Sequence, residues 1–363
     1  VRRILFVINI VFALGLAAAL AAPYVSPADF YPLAYFGLTF YGWLIANGVF
    51  VLLWIILRFR YTLLSGLLLV MALPSLRQLV ALRWKEQLFP EGSGITVMSY
   101  NVRLFGLYDW KNNIRHRNEI LNYLKKEEPD ILCFQEFFLD KTKRFSTEDT
   151  LKKLLRARNS HFEYASSLYG TQFWGVATFS RFPIVGRGKI KFQGSKGNIC
   201  IYTDIKISER IVRVFNVHFE SYHLPEEKLD RLADDVQENP GYWWNVFRRM
   251  AHSYKRRARQ VDSVRKSIEQ SPHPVIVCGD FNELPTSYVY HRMAQGLKDA
   301  FLESGFGLGV TYAGKIPLLR IDYILHSPEL HSSHFHTEHV RLSDHYPVRC
   351  TVRFAENAST AMQ

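Results

Sequence analysis

Apolar residues fill the first 82 positions in three long blocks. Residues 4–22 hold a single polar position, Asn9. Residues 33–57 are broken only by Thr39 and Asn47, and residues 61–82 form a weaker block containing Pro74 and Arg77. A helix needs about 20 mostly apolar residues to cross a bilayer core. The first two blocks meet that length and predict transmembrane helices. The third is ambiguous, because Arg77 would have to snorkel towards an interface. A cleaved signal peptide would share the Arg2-Arg3 start and the small residues up to Ala22. Two further blocks close behind favour a multi-span anchor instead. A buried helix pair of a soluble protein would show a polar face, which the second block lacks.

Near residue 90 the pattern changes. Residues 90–94 (Pro90, Glu91, Gly92, Ser93, Gly94) read as a linker. After it, short apolar runs at 95–100, 131–134, 176–179, 199–205, 211–217, 275–278, 321–325 and 347–354 predict strands. Helical spacing occupies 112–126, 147–158 and 247–270, the second opened by a Ser146/Thr147 cap with acids in its first turn. Strands adjoin strands in the middle and alternate with helices at both ends. That suggests a mixed α/β sandwich rather than a doubly wound sheet. With no internal repeat or long linker, the expected organisation is a membrane anchor at 1–89, with two or three transmembrane helices, and one soluble domain at 90–363.

Charge adds an orientation. The chain of 363 residues carries 45 Lys plus Arg and 33 Asp plus Glu, of which the first 90 residues hold seven and two. Arg2 and Arg3 place the N-terminus inside, the uncharged-by-base connection 23–32 reads outside, and Arg58 and Arg60 return inside. A third span would put the rest of the chain on the extracytoplasmic side. Without it, the rest faces the cytoplasm. The later part keeps a mild net charge of +7. An aromatic content of 14% and a hydrophobic content of 48% exclude a disordered chain. Four cysteines exclude a disulfide scaffold, and as all fall in predicted strands they are expected to be core residues.

Several predicted strands end in polar residues. Ser99-Tyr100-Asn101, Gln135-Glu136, Asn216-Val217-His218 and Gly279-Asp280-Phe281-Asn282 follow four of them. Arg320-Ile321-Asp322-Tyr323 lies on another, and Ser343-Asp344-His345 begins the last. A lone Asn or Asp there is ordinarily a turn residue, and Asp280 with Asn282 could form an Asx-turn. His218 alone could be a satisfied core histidine. Six such strand ends in one domain point instead to a site on a rigid scaffold.

Together, and in this order, these motifs resemble the endonuclease/exonuclease/phosphatase family, which includes DNase I, abasic-site endonucleases, neutral sphingomyelinases and inositol-polyphosphate 5-phosphatases. The resemblance covers about residues 95–354 and leaves out the first 90. It implies an α/β (α+β) four-layer sandwich of two mixed β-sheets flanked by helices, here preceded by all-α transmembrane segments. It implies Mg²⁺ or Mn²⁺ as cofactor, with Glu136 as first ligand and Asn101 and Asp344 around the same metal position. Asp280 would take a proton from the attacking water, and Asn282 would orient that water or the phosphate. His345 would contact the phosphate, with Asp322 fixing its ring. His218 would stabilise the pentacoordinate state or protonate the leaving oxygen. A hard cation with few carboxylate ligands suits phosphate chemistry.

The expectation is therefore an integral-membrane, metal-dependent phosphoesterase, acting on phosphodiester bonds through an Asp280-activated water. A tether holds the enzyme where lipid substrates are concentrated, so a lipid headgroup is favoured over nucleic acid as substrate, with the bilayer itself the partner. No protein partner is predicted. A tethered nuclease is the alternative, and a non-enzymatic membrane scaffold a second. Residues 221–256 read as an insertion that mixes Tyr242, Trp243, Trp244 and Phe247 with Arg248, Arg249, Lys255 and Arg256. It could wall an anionic substrate, touch anionic lipid, stack on nucleic acid, or pack as a core cluster beside a solvated basic face.

Overall fold

The computed structural model describes residues 1–82, 94–106, 113–141, 147–155, 159–195, 197–222 and 241–355. They form two compact units. One comprises residues 1–80, 221–262 and 283–295; the other comprises 81–220, 263–282 and 296–363. The change of pattern near residue 90 and the edge of the first unit at Val80 are thus different boundaries. One marks where apolar sequence ends, the other which segments pack together. The linker expected at 90–94 lies, up to residue 93, outside the described residues.

In the first unit, the few polar residues of the apolar blocks find one another. Asn9 Nδ2 donates to Ser65 Oγ at 2.7 Å, Ser65 Oγ donates to Asn47 Oδ1 at 2.8 Å, and Trp54 Nε1 donates to Asn9 Oδ1 at 2.9 Å. All four residues are fully buried. An apolar surrounding makes an unpaired polar group expensive, so this network fixes how the helices Arg2–Ala21, Phe40–Leu57 and Thr62–Met71 face one another. Gly15 permits the close approach: a Cβ there would collide with the Trp43 ring. The second block is not one helix. It divides at Thr39 into Pro32–Leu38 and Phe40–Leu57.

Two helices, Arg2–Tyr24 and Phe40–Leu57, are long and apolar enough to cross a membrane. The third block is a pair, Phe59–Met71 and Leu73–Leu79, bent by 46°. Pro74 in the first turn of the second half accounts for the break. The pair nonetheless runs the length of the bundle. Tyr61 packs on Phe6 and Trp54 at one end, with ring centroids 4.4 and 5.0 Å apart. Ala72 and Leu79 join Leu16, Ala19 and Phe40 at the other.

The second unit is a sandwich. Its strands are β1 (Ala81–Leu82), β2 (Ile95–Asn101), β3 (Ile131–Asp140), β4 (Asn159–Leu168) and β5 (Gln172–Ser180). They continue with β6 (Ile184–Lys191), β7 (Ile199–Ile207), β8 (Arg210–His218), β9 (Val275–Asp280) and β10 (Lys298–Asp299). The last are β11 (Phe306–Gly307), β12 (Asp322–His326), β13 (Leu330–Thr337) and β14 (Val348–Phe354). One six-stranded sheet has the order β10-β12-β9-β8-β7-β6, the other β13-β14-β2-β3-β5-β4. Each is mixed: β8 with β9 and β2 with β3 are parallel pairs among antiparallel ones.

The two sheets share a core. Val97, Ile131 and Cys350 from one sheet and Val214, Ile276 and Ile324 from the other belong to one buried cluster. The opposite face of the second sheet, through Met98, Tyr100 and Phe134, is covered by Ile120 and Leu124 of helix Asn113–Glu127 and by Leu151 of helix Thr147–Leu154. All four cysteines are free and buried, as core residues. The eight expected strands are present, and six more join them: the two-residue β1, β10 and β11, and the longer β4, β6 and β13. β4, β6 and β13 carry polar or charged residues at alternate positions, so their apolar runs are too thin to stand out in the sequence. The basic helix begins earlier than its apolar spacing indicated, at Tyr242. Ser343-Asp344-His345 precedes the last strand rather than opening it, since β14 starts at Val348.

Candidate active site

Parallel neighbours end at the same level, and that places the site. β8 and β9 run in register so that His218 sits opposite Asp280, and β12 brings Asp322 opposite Asp280 from the other side. In the second sheet β2 and β3 pair Asn101 with Gln135, one residue before Glu136. Two backbone devices aim the side chains. Glu136 adopts a positive φ of 49°, where the β3–β5 register shifts between Phe134 and Phe137. This is a β-bulge that turns the carboxylate out of the strand's alternation. Asn282 has φ 53°, and its N–H donates to Asp280 Oδ1 at 2.8 Å, closing the Asx-turn. Gly279, at φ 153°, lies so near β8 that a Cβ would run into the Val217 carbonyl.

Asp280 is the hub. Its Oδ2 accepts from Asn101 Nδ2 at 3.0 Å and from Asn282 Nδ2 at 3.2 Å. His345 Nε2 stands 3.8 Å away and His218 Nε2 3.9 Å away. The carboxyl is 1% exposed, and burial raises its pKa to about 6, against the pull of His345. His345 Nδ1 donates to Asp322 Oδ2 at 2.9 Å. Burial opposes the charge on this ring, but Asp322 and Asp280 outweigh it and hold the pKa well above the ordinary histidine value. His218 behaves oppositely: burial lowers its pKa more than Asp280 raises it. Its Nε2 has no hydrogen-bond partner among the described residues and lies 3.8 Å from Glu136 Oε1. It is not a satisfied core histidine.

Glu136 is part-buried, its side chain 28% exposed, and desolvation first, then the Asp344 carboxylate, raises its pKa. Two neighbouring carboxylates, with mostly oxygen donors nearby, form a set that suits a hard divalent cation. Asn101 turns its NH₂ towards Glu136 at 3.5 Å, while its Oδ1 accepts from the Arg103 N–H at 3.0 Å. Asp280, Asp322 and His345 form a second group whose ligand atoms lie within 4.8 Å of one another and could also hold a metal ion. There the Asp322 bond occupies Nδ1 of a ring that favours its protonated form, and a proton on the ring competes with a cation.

The structure therefore brings Asn101, Glu136, His218, Asp280, Asn282, Asp322, Asp344 and His345 into one cluster of the second unit. It adds residues the sequence did not single out. Arg103 pairs with Asp344, Nε to Oδ2 at 3.3 Å. It follows Asn101 by two positions, so proximity in sequence was its only signal. Thr311 Oγ1 accepts from the N–H groups of Ile321 and Asp322 at 3.0 Å each and holds the start of β12. It sits in a loop with no motif around it. Asn216, though part of a motif, lies beneath the site. Its Nδ2 donates to the carbonyls of Phe134 and Ala177, and its Oδ1 accepts from Gln135, so it ties the two sheets together.

A sequence profile of the Endonuclease/Exonuclease/phosphatase family matches residues 98–345, and the chain belongs to that family. The family's members are metal-dependent phosphoric ester hydrolases, and the protein is an enzyme of that class. Residues 2–79 match a domain of unknown function (DUF8431). No curated protein matches the chain. Among solved structures, an endonuclease/exonuclease/phosphatase family protein from Leptotrichia buccalis superposes with a TM-score of 0.51 at 15% identity, over 72% of this chain and 100% of the other. One from Bacteroides vulgatus gives 0.51 at 19%, over 72% and 99%. Truncated Caenorhabditis elegans TDP2 gives 0.50 at 22%, over 73% and 98%. These likenesses establish the fold.

Proposed function

We propose that the protein is a membrane-anchored, Mg²⁺- or Mn²⁺-dependent phosphodiesterase that acts on lipid headgroups. The observation that carries the hydrolytic reading is Asp280. It is a buried carboxyl with a pKa raised to about 6, set between two amide NH₂ groups and two imidazoles. A base of that pKa accepts a proton from water near neutral pH better than an ordinary carboxylate does. Asn282 holds Asp280 in place and orients the water or phosphate. His345, kept protonated by Asp322, offers an N–H and positive charge to a phosphate oxygen. His218, kept neutral by burial, fits hydrogen-bond stabilisation of the pentacoordinate state better than proton donation. Glu136 and Asp344, with Asn101 beside them, would hold the divalent cation, which supplies Lewis-acid polarisation of the phosphate when bound.

Anchoring rests on the helix bundle. Three traverses put the chain after Val80 at the end opposite Arg2, Arg3, Arg58 and Arg60, which by the basic-residue rule is the extracytoplasmic side. A tether at the bilayer supports a lipid substrate by effective concentration. The test is hydrolysis by the full-length protein with Mg²⁺, against mixed phospholipid vesicles and plasmid DNA side by side, with Glu136→Ala as control. Release of phosphorylated headgroup from vesicles, absent in the control, is expected. Nicking of plasmid with untouched vesicles would replace the lipid reading with a tethered nuclease. Neither activity, with every metal tried, would favour the scaffold.

A further inference from the structure

Three large aromatic side chains stand exposed at one end of helix Tyr242–Glu269. Trp243 is 44% exposed, Trp244 70% and Phe247 47%. Positions i, i+1 and i+4 share one helix face, so the three form a patch rather than isolated surface residues. The exposed Arg248 and Arg249 follow immediately. No acid occurs in this helix before Asp262, whereas six basic residues precede it.

The patch also has an address within the first unit. Tyr35 Oη donates to the Phe247 carbonyl at 2.6 Å, and the two rings are 5.6 Å apart. Tyr35 packs on Tyr254 at 5.3 Å, and Lys255 lies over the Tyr31 ring at 4.6 Å. Tyr31 and Tyr35 belong to the connection between the two long apolar helices, five residues or more before Phe40 opens the second. At about 3.6 residues per turn, Tyr35 lies roughly one and a half turns from the apolar span and Tyr31 about one turn farther. Tyr24 and Phe30 of the same connection are exposed too. Exposed Trp, Tyr and Phe beside Arg at the end of a span are the composition of a membrane–water interface.

We propose that this end of the helix is an interfacial docking element, which seats Trp243, Trp244 and Phe247 among the headgroups of an anionic leaflet while Arg248 and Arg249 meet the lipid phosphates. The proposal rests on the reading that the apolar helices cross a membrane. Apolar burial supplies attachment, and the exposed charge of Arg248 and Arg249 selects anionic lipid. The same mixture of rings and cations could stack on single-stranded nucleic acid. Its position against the connection between spans favours lipid.

The test is a reporter at the patch. All native cysteines are buried, so Trp244→Cys in the full-length protein takes an environment-sensitive fluorophore at one place. Trp243→Cys is the second reporter should the first misfold. Val11→Cys, 58% exposed in the middle of helix Arg2–Ala21, reports the span. Each is placed in phosphatidylcholine nanodiscs with and without phosphatidylglycerol, carrying spin-label quenchers near the glycerol or near the chain ends. The expected result is quenching of the Trp244→Cys label by the shallow quencher, stronger with phosphatidylglycerol, and of the Val11→Cys label by the deep one. A water-like, unquenched patch label beside a quenched Val11→Cys label overturns the docking element and leaves the anchor standing. An unquenched Val11→Cys label overturns the anchor, and the proposal with it. A patch label that responds to a single-stranded oligonucleotide and not to lipid assigns the patch to nucleic acid and overturns the proposal.

Discussion

Asp280 carries opposing demands. Burial holds its pKa at about 6, above the ordinary carboxylate value, so the folded protein binds a proton there more tightly than the unfolded chain does. The stability this group contributes is therefore present below the unfolded pKa and is lost as pH rises through about 6. At neutral pH the charged, buried carboxylate is a liability to the fold, one that its proposed role as base would require. Asp280→Asn should abolish turnover, by at least about 100-fold, the range of a lost general base. The same variant, in EDTA, should unfold at a higher temperature than the parent at pH 8, with the difference closing at pH 4. Equal melting temperatures at both pH values would refute the buried-charge argument, and retained turnover would refute the assigned base. The pH profile should show the same group. With saturating metal, kcat/KM should rise across about pH 6 as Asp280 deprotonates, then hold through neutrality while His345 stays protonated. A profile falling from pH 5 to pH 7 would reverse the assignment.

Element by element, the site is made by where strands stop and by what interrupts them. The β3 bulge frees Glu136 from the sheet, and the Asx-turn after β9 fixes Asn282. Neither works unless the two sheets hold their separation, and Asn216 ties them. Its side chain reaches the carbonyls of Phe134 and Ala177 and the amide of Gln135. Asn216→Ala would leave buried donors and acceptors unpaired, each costing about 1–3 kcal/mol. Thermal or urea unfolding of the detergent-solubilised protein should show a loss of at least about 2 kcal/mol. A near-silent substitution would mean that water or a rearranged Gln135 replaces the tie.

At the scale of the whole molecule, the third apolar block decides the side on which the chain after Val80 emerges. The block runs the full length of the bundle despite its 46° bend, and under the proposed reading a third crossing puts the chain after Val80 outside. Ser208, exposed in the turn between β7 and β8 of the second unit, and Arg60, exposed in the bundle at the end away from Val80, give a direct readout. On intact cells, a membrane-impermeant maleimide should label Ser208→Cys and spare Arg60→Cys. The reverse labelling would put the enzyme in the cytoplasm and remove the argument for a third span.

The sequence by itself determined the apolar blocks, the mixed sandwich, the family and the eight polar residues that the fold gathers into the candidate site. These are local properties: hydropathy over about 20 residues, alternation over a few, and short motifs that end strands. Tertiary structure alone decided the rest. That Asn9, Asn47 and Ser65 form one network, that Asn216 is a tie beneath the site, and that Thr311 holds Asp322 in place depends on partners from 11 to 82 residues away in sequence. So does the pKa of Asp280, because desolvation and the neighbouring imidazoles exist only once strands from distant parts of the chain are brought together. Strands β4, β6 and β13 were hidden for the same reason. Their pairing partners, rather than their own apolar content, make them strands.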